Sequence, residues 1–375
     1  MKIAISVPSI LYPEGGIGVY MRNLLNALSK VDKVNEYHLF VNSESENLLD
    51  LADGNFKLKN RGGFTQVRWA RLLWEHLLLP VESLVSGIDL IHSLMFVAPW
   101  LSLCDSVVTI ADMTFLKFPQ YHLDTKVSYF KKMIPVSAAR ARGIIAISQS
   151  TKNDICEILG IPEDKVSVVY LAPNESYAKI DSKVVIESVL QRWNIDFPYI
   201  LFVGTIEPRK NVGNLLKAYR LCKTHYGVDH KLVIVGRKGW GYDIDHDIKE
   251  LGLANDIILL GVVPLDDLVK IYNGAAGFVY PSWCEGFGLP VVEAMACGVP
   301  VITSSVSATA EIAGDAAMLV SPSSVEEIAY AINEIILDQS QREQLIAKGL
   351  RRVADFSWEK TAKATIEVYD SIKAC

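Results

Sequence analysis

Twice in this sequence a short, almost wholly apolar run passes into a loop and then a helix, first from residue 2 and again from residue 199. Lys2 leads into Ile3, Ala4, Ile5, Ser6 and Val7; Tyr199 leads into Ile200, Leu201, Phe202, Val203 and Gly204. Runs of this length without polar alternation are strands buried on both faces, the pattern of parallel sheets whose crossovers are helices. Further runs at 37–41, 90–92, 107–111 and 143–147 follow the first, and runs at 231–236, 257–260, 276–280 and 299–303 follow the second. The pattern restarts around Ala172, Pro173 and Asn174. This predicts an α/β chain of two doubly wound parallel-sheet domains, 1–172 and 173–356, followed by a closing helix at 357–375. Ser357 is its expected N-cap.

Composition narrows the function classes. A chain of 375 residues, 50% hydrophobic and 21% charged, has material for two cores and is not disordered. Its net charge is −6, yet residues 54–152 carry 12 Lys and Arg against 6 Asp and Glu, so that segment is a candidate for an anionic surface. A solvated face with basic helix ends is the competing explanation. The six cysteines, at 104, 156, 222, 284, 297 and 375, have no C-x-x-C spacing, which fits a reduced, cytoplasmic compartment. Met1 and Lys2 lead straight into the first strand, so no signal peptide is expected. The most apolar region, 69–85, is interrupted by Arg71, Glu75, His76, Pro80 and Glu82 and is not a spanning helix.

The richest stretch is 280–300, YPSWCEGFGLPVVEAMACGVP. A buried strand ends at Pro281 and Ser282, and a helix begins with Pro290 at its first position and stops near Gly298. Between them Glu285 is followed by Gly286, Phe287, Gly288 and Leu289. A helix N-terminus offers unpaired N–H groups and a positive dipole end, both suited to phosphate, and glycines let a ligand approach the backbone. Glu293 is expected in the first helical turn, pointing back at the loop, with Glu285 meeting the same ligand from its other side. Carboxylates accept sugar hydroxyls. A sugar nucleotide carries both phosphate and hydroxyls; the competing assignment is a solvated loop acid and a residue that merely satisfies the dipole.

Other candidates flank the strands. After the first strand, Tyr12-Pro13-Glu14-Gly15-Gly16-Ile17-Gly18 places Gly15 and Gly16 before a helix. Neither a G-x-G-x-x-G fingerprint nor a G-x-x-x-x-G-K-[ST] loop is present, which argues against a dinucleotide oxidoreductase and an ATPase. Gly204 and Gly236 each close a strand of the second domain and join the ligand-binding set. Arg209 and Lys210 follow the first strand of that domain beside a helix start, where they would neutralise a departing diphosphate. His92 and Asp112 follow strands of the first domain at the ligand-binding edge. Asp243, Asp245, His246 and Asp247 invite a metal, but acidic capping of a helix start explains them more simply. The region 64–85, with Trp69, Leu72, Leu73, Leu77 and Leu78 near helical spacing beside Arg68 and Arg71, reads as a core-facing helix with a polar back; a membrane-surface face is the alternative.

With these residues in place the chain resembles the family 4 glycosyltransferases of the GT-B fold, essentially end to end. The resemblance rests on Gly15-Gly16, the GTIEPRKN loop at 204–211, the EGFGLP-x-x-E block at 285–293, the IAGDAA stretch at 312–317 and the FSW at 356–358. It implies two Rossmann-like domains facing across a cleft, the first joined by the closing helix at 357–375 and the second holding a nucleotide-sugar. Glu285 would contact the transferred sugar, Glu293 the ribose, the backbone of Phe287, Gly288 and Leu289 the sugar and phosphate, and Arg209 and Lys210 the diphosphate. Gly16 would close on the phosphates. It further implies transfer with retention, no cofactor and no required metal. The WEHLLLP run at 74–80 and the GTIEPRKN loop look like bacterial mannosyltransferases. They point to GDP-mannose as donor and to a glycan or lipid-linked saccharide acceptor in cell-surface polysaccharide or lipopolysaccharide synthesis, with no nucleic-acid partner and a cytoplasmic or peripheral membrane location. One departure stands out: family members commonly carry His-Asp after a first-domain strand, and here Ala111 precedes Asp112. Either an engineered change, or another group such as Asp112 or His92, or a protein that binds donor without turning it over accounts for it.

Overall fold

The computed structural model describes residues 1–7, 15–42, 49–51, 54–62 and 67–373. Tyr12, Pro13 and Glu14 of the first glycine loop, Phe64 and Cys375 lie outside the described residues, as does Pro8. The chain divides into two compact units, Met1–Leu171 with Ser357–Cys375, and Ala172–Phe356.

Unit 1 is built on β1 (Lys2–Ser6), β2 (Glu36–Val41), β3 (Phe56–Asn60), β4 (Leu90–Ser93), β5 (Asp105–Ile110), β6 (Gly143–Ala146) and β7 (Val166–Val168). Their order is β3-β2-β1-β4-β5-β6-β7, and every pairing is parallel. The order reverses between β1 and β4, which opens a crevice at their C-terminal ends. Helix Gly16–Val31 starts there, directly after Gly15. The closing helix Trp358–Lys373 belongs to this unit: Tyr369 lies against His92, and Thr361 Oγ1 donates to the Tyr170 carbonyl at 2.7 Å. Lys360 N–H donates to Ser357 Oγ at 3.2 Å, the cap expected from the sequence. The helix approaches so closely that a Cβ on Gly143 would sit 3.1 Å from Ile372 Cδ1.

The 64–85 region departs from expectation. Helix Arg68–Leu73 widens into a turn of π geometry at Trp74–Leu78 and resumes as Leu79–Val85, with Pro80 in its first turn. Trp74 packs on Phe40 with ring centroids 5.3 Å apart, and Leu79 joins it in a cluster with Ala4, Ile88 and Ile91. The wide turn shifts the phase of the side chains around the axis. Consequently the outward side is not the polar back anticipated: Trp69, Leu73, Leu77 and Leu78 are exposed.

Unit 2 carries β8 (Tyr199–Val203), β9 (Lys231–Val235), β10 (Ile257–Gly261), β11 (Gly277–Tyr280), β12 (Val301–Ser304) and β13 (Ala317–Val320), ordered β10-β9-β8-β11-β12-β13 and parallel throughout. Phe202, Phe278 and Tyr280 are fully buried in this sheet. The reversal falls between β8 and β11, so the two loops singled out in the sequence, after 203 and after 280, leave neighbouring strands. No helix among the described residues is long and apolar enough to cross a membrane, and the five described cysteines form no disulfide.

Candidate functional site

At the β8–β11 reversal the two loops are stitched together by their own backbone. Residues Pro208–Lys210 form a single tight turn, and Asn211 follows with φ +59°, a left-handed conformation asparagine tolerates, before helix Val212–Leu221 begins. Asn211 Nδ2 donates to the Pro281 carbonyl at 2.9 Å and the Pro322 carbonyl at 2.7 Å. Trp283 N–H donates to the Arg209 carbonyl at 2.9 Å. The loop after β8 is thereby fixed against the loop after β11.

This stitching sets four charges together. Arg209 Nη1 donates to Glu285 Oε2 at 2.6 Å and to the Cys284 carbonyl at 2.9 Å, and Nη2 donates to Glu207 Oε1 at 2.8 Å. Lys210 Nζ donates to Glu285 Oε1 at 2.6 Å and to the Tyr280 hydroxyl, which itself donates to Glu285 Oε1 at 3.0 Å. The Glu285 backbone N–H donates to Ser307 Oγ at 3.1 Å. Burial pushes the Glu285 carboxyl upward, but the charges of Arg209 and Lys210 and their hydrogen bonds outweigh it and hold the group well below the usual carboxylate range. Glu285 is therefore an anion with both oxygens engaged. The sequence reading brought Arg209, Lys210 and Glu285 to one place and missed Glu207, Tyr280 and Ser307. The signal for Tyr280 was available: it is the last residue of a strand at the ligand edge of a parallel sheet.

Gly288 opens helix Leu289–Ala296 with φ +94°, and a Cβ there would meet Thr309 Cγ2 at 2.9 Å. Pro290 occupies the second helical position rather than the first. Phe287 is buried, edge-on to Phe356 at 5.6 Å. Glu293 is the fifth residue of this helix, one position past the first turn in which it was expected. Its carboxylate is buried, with the Tyr272 hydroxyl donating to Oε2 at 3.2 Å. Burial drives its pKa up to about 7, against opposing hydrogen bonds from Tyr272 and Tyr177. A cavity of about 340 Å³ lies at the ends of β8, β9 and β10, lined by Ile206, Gly236, Arg237, Lys238, Leu259, Leu260 and Gly261. Gly236 has φ +141°, and a Cβ on it would fall 2.0 Å from the Gly204 carbonyl oxygen, so these two strand ends meet only because one is glycine. Away from this region, Asp243 Oδ1 caps helix Ile244–Glu250 by accepting from His246 N–H at 3.2 Å, and on the same helix the ligand atoms of His246, Asp247 and Glu250 lie within 4.8 Å of one another.

In unit 1, Gly15 is the N-cap of its helix, and among the described residues nothing lies within 4 Å of where a Gly16 Cβ would stand. Neither alternative offered for the missing histidine is idle. His92 is fully buried: Nδ1 is 2.6 Å from the Tyr369 hydroxyl and Nε2 is 2.9 Å from Thr109 Oγ1, with burial holding its pKa down at about 3. It is a neutral core residue, which corrects its candidacy as a ligand group. Asp112 Oδ1 accepts from Thr114 N–H at 2.9 Å and Thr114 Oγ1 at 2.5 Å, closing its own turn. Ala111 is half-buried beside it.

Residues 14–174 match the model of Glycosyltransferase Family 4, and residues 187–352 match that of Glycosyl transferases group 1. The O-antigen chain mannosyltransferase B of Escherichia coli is 33% identical over 98% of this chain and 99% of its own length. The chain is a family 4 glycosyltransferase. Another relative, the serotype-specific mannosyltransferase WbdA of Escherichia coli, is 30% identical over 72% of this chain, a match spanning 33% of that longer protein. Among solved structures, the sucrose-phosphate synthase of Thermosynechococcus elongatus matches with a TM-score of 0.77 at 20% identity, covering 100% of this chain and 99% of that one. Anabaena HepE in complex with UDP-glucose matches with a TM-score of 0.76 at 18% identity over 99% and 100%. These likenesses show the GT-B fold for this glycosyltransferase, with the self-paired cluster of Glu207, Arg209, Lys210 and Glu285 in its second unit.

Proposed function

We propose that this glycosyltransferase transfers mannose from GDP-mannose, with retention and without a metal, to a saccharide or lipid-linked acceptor in the synthesis of an O-antigen-like cell-surface polysaccharide. The observation that carries the reading is the cluster at the β8–β11 reversal, where two cations and the Glu285 carboxylate converge. As the bond to the sugar breaks, negative charge builds on the diphosphate. Fixed cations in a largely dry site stabilise that charge at no reorganisation cost. Arg209 and Lys210 fill that role, Glu285 accepts hydroxyls of the sugar, and the departing phosphate oxygen takes the proton of the acceptor hydroxyl on the same face. The cavity beside Gly236 accommodates the nucleoside, Glu293 serves the ribose and the Phe287–Leu289 backbone the sugar and phosphate, and Gly15 and Gly16 of unit 1 join the donor-binding residues. Mannose is favoured because the relatives above are named mannosyltransferases of O-antigen or serotype determination. A cytoplasmic location is supported by cysteines without C-x-x-C spacing, and a peripheral one at the inner membrane face by the basic segment 54–152.

The test is chain extension of an oligosaccharide acceptor with a panel of sugar nucleotides, chelator present throughout. GDP-mannose is expected to be used best, the product to keep the donor's anomeric configuration, and Glu285→Ala to lose at least ~100-fold in rate. Full rate in that variant removes the site assignment, and preference for a UDP-sugar replaces the donor. A second reading, a protein that binds donor with little turnover, is favoured by one residue, Ala111. A large rate gain in Ala111→His at unchanged donor affinity would establish it, and no gain over a normal starting rate would dismiss it.

A further inference from the structure

The outward side of the 68–85 segment carries a long apolar stripe that the fold leaves uncovered. Trp69, Leu73, Leu77, Leu78, Val81 and Leu84 are all exposed, Trp69 to 68%, while Trp74, His76, Leu79 and Ser83 alternate with them toward the core. The stripe continues onto a second segment. His76 stacks on Trp100 at 4.9 Å, and from there Leu101 and Leu103 are also exposed. Monomeric proteins rarely leave so many large side chains contiguous and uncovered unless something docks there.

Cations border this face on two sides. Along one, Lys59 and Arg61 extend from β3 at the sheet edge to Glu82 of the segment and neutralise it. Along the other runs helix Asp124–Arg140, which touches the stripe through Tyr129 against His76, and through Met133 and Arg140 against Trp100. On that helix Lys132, Val136 and Arg140 recur every fourth residue beside Tyr129 and Met133 and are exposed. Two exposed tryptophans among aliphatic side chains, rimmed by Lys and Arg, match the interfacial layer of a bilayer: indoles sit at headgroup depth, aliphatics enter the acyl boundary, and cations meet anionic headgroups. A second copy of the chain suits the face less well, because an isologous contact would set the same cations against each other.

We propose that unit 1 docks on an anionic lipid bilayer through this face, the 68–85 segment and the 100–103 loop inserting shallowly while Lys132 and Arg140 hold the headgroups. The inference goes beyond net charge. It places apolar insertion first and charge second, and it holds whether or not unit 2 transfers mannose. It therefore predicts binding that salt weakens but does not abolish.

The test needs no turnover. The full chain is sedimented with vesicles of phosphatidylcholine alone, or with about one third phosphatidylglycerol, at low and high salt. The anionic vesicles are expected to pellet the protein, with a residual fraction at high salt. Trp69→Ser with Leu73→Ser and Leu77→Ser should weaken partitioning by at least ~10-fold with an unchanged melting temperature, and Lys132→Glu with Arg140→Glu should remove the preference for anionic lipid. As a readout independent of those variants, brominated lipid should quench the tryptophan fluorescence of the wild type, and Trp69→Phe should lose part of that quenching. Failure to pellet with either vesicle, wild-type pelleting by the apolar variant, or unchanged quenching in Trp69→Phe overturns the proposal. Self-association that the apolar variant abolishes, without vesicle binding, overturns it in favour of a second copy.

Discussion

Replacing Glu293 with glutamine removes a titration while keeping the shape of the side chain, and so isolates what burial does to this carboxyl. Glu293 accepts from Tyr272 in a buried pocket where the Tyr272 ring also meets that of Tyr177 at 5.6 Å. Burial raises its pKa from an ordinary 4.5 to about 7. Between those two values the unfolded chain has released a proton that the folded chain still holds, so stability falls as pH rises and levels off above about 7. At ~1.4 kcal/mol per pH unit the interval corresponds to ~3 kcal/mol. Glutamine does not titrate, but its amide protons need acceptors, a pH-independent cost of ~1 kcal/mol. The wild type should accordingly be the more stable form near pH 4.5 by about 1 kcal/mol, and the variant the more stable form above pH 7 by about 2 kcal/mol. Urea denaturation of unit 2, followed by tryptophan fluorescence across this range, reads the crossing. Parallel curves for the two proteins would show that the carboxyl titrates normally and that the burial argument is wrong. If the ionised carboxylate receives ribose hydroxyls, donor affinity should also rise through pH 7 in the wild type and stay flat in Glu293→Gln.

Three other outcomes follow from the geometry. Gly236→Ala combines a disfavoured φ with a 2.0 Å clash against the Gly204 carbonyl, and should destabilise unit 2 by ~2–5 kcal/mol in a thermal melt while leaving the unit 1 transition in place. His92→Leu strips partners from Tyr369 and Thr109 and should cost unit 1 ~1–3 kcal/mol with donor affinity unaltered; loss of donor binding would return His92 to the ligand site. Removing the Glu285 charge leaves Arg209 and Lys210 buried without their shared partner, so Glu285→Ala should lower the stability of unit 2 by ~3–5 kcal/mol, and added diphosphate should restore part of that loss.

What the sequence made legible follows from how locally each feature is encoded. Continuous apolar runs disclosed most strands, because a strand buried on both faces shows as uninterrupted Val, Ile and Leu. β3 escaped because Phe56, Lys57, Leu58, Lys59 and Asn60 alternate, as suits an edge strand with one wet face, β7 because it is three residues long, and β13 because four apolar residues, Ala317–Val320, fit a buried helix segment as well as a strand. Arg209, Lys210 and Glu285 were found because each stands in a glycine- or proline-marked loop. Glu207 was not, since its role exists only once β8 pairs with β11, a pairing of Leu201 with Phe278 that no local pattern states. The 68–85 segment shows the limit most clearly. A helical period tells which side is buried only when one side is polar; here both sides are apolar, and a wide turn shifts the phase between Trp69 and Leu79. The packing of Trp74 on Phe40 settles the orientation, and the apolar side chains it turns away from the core are the ones left facing outward.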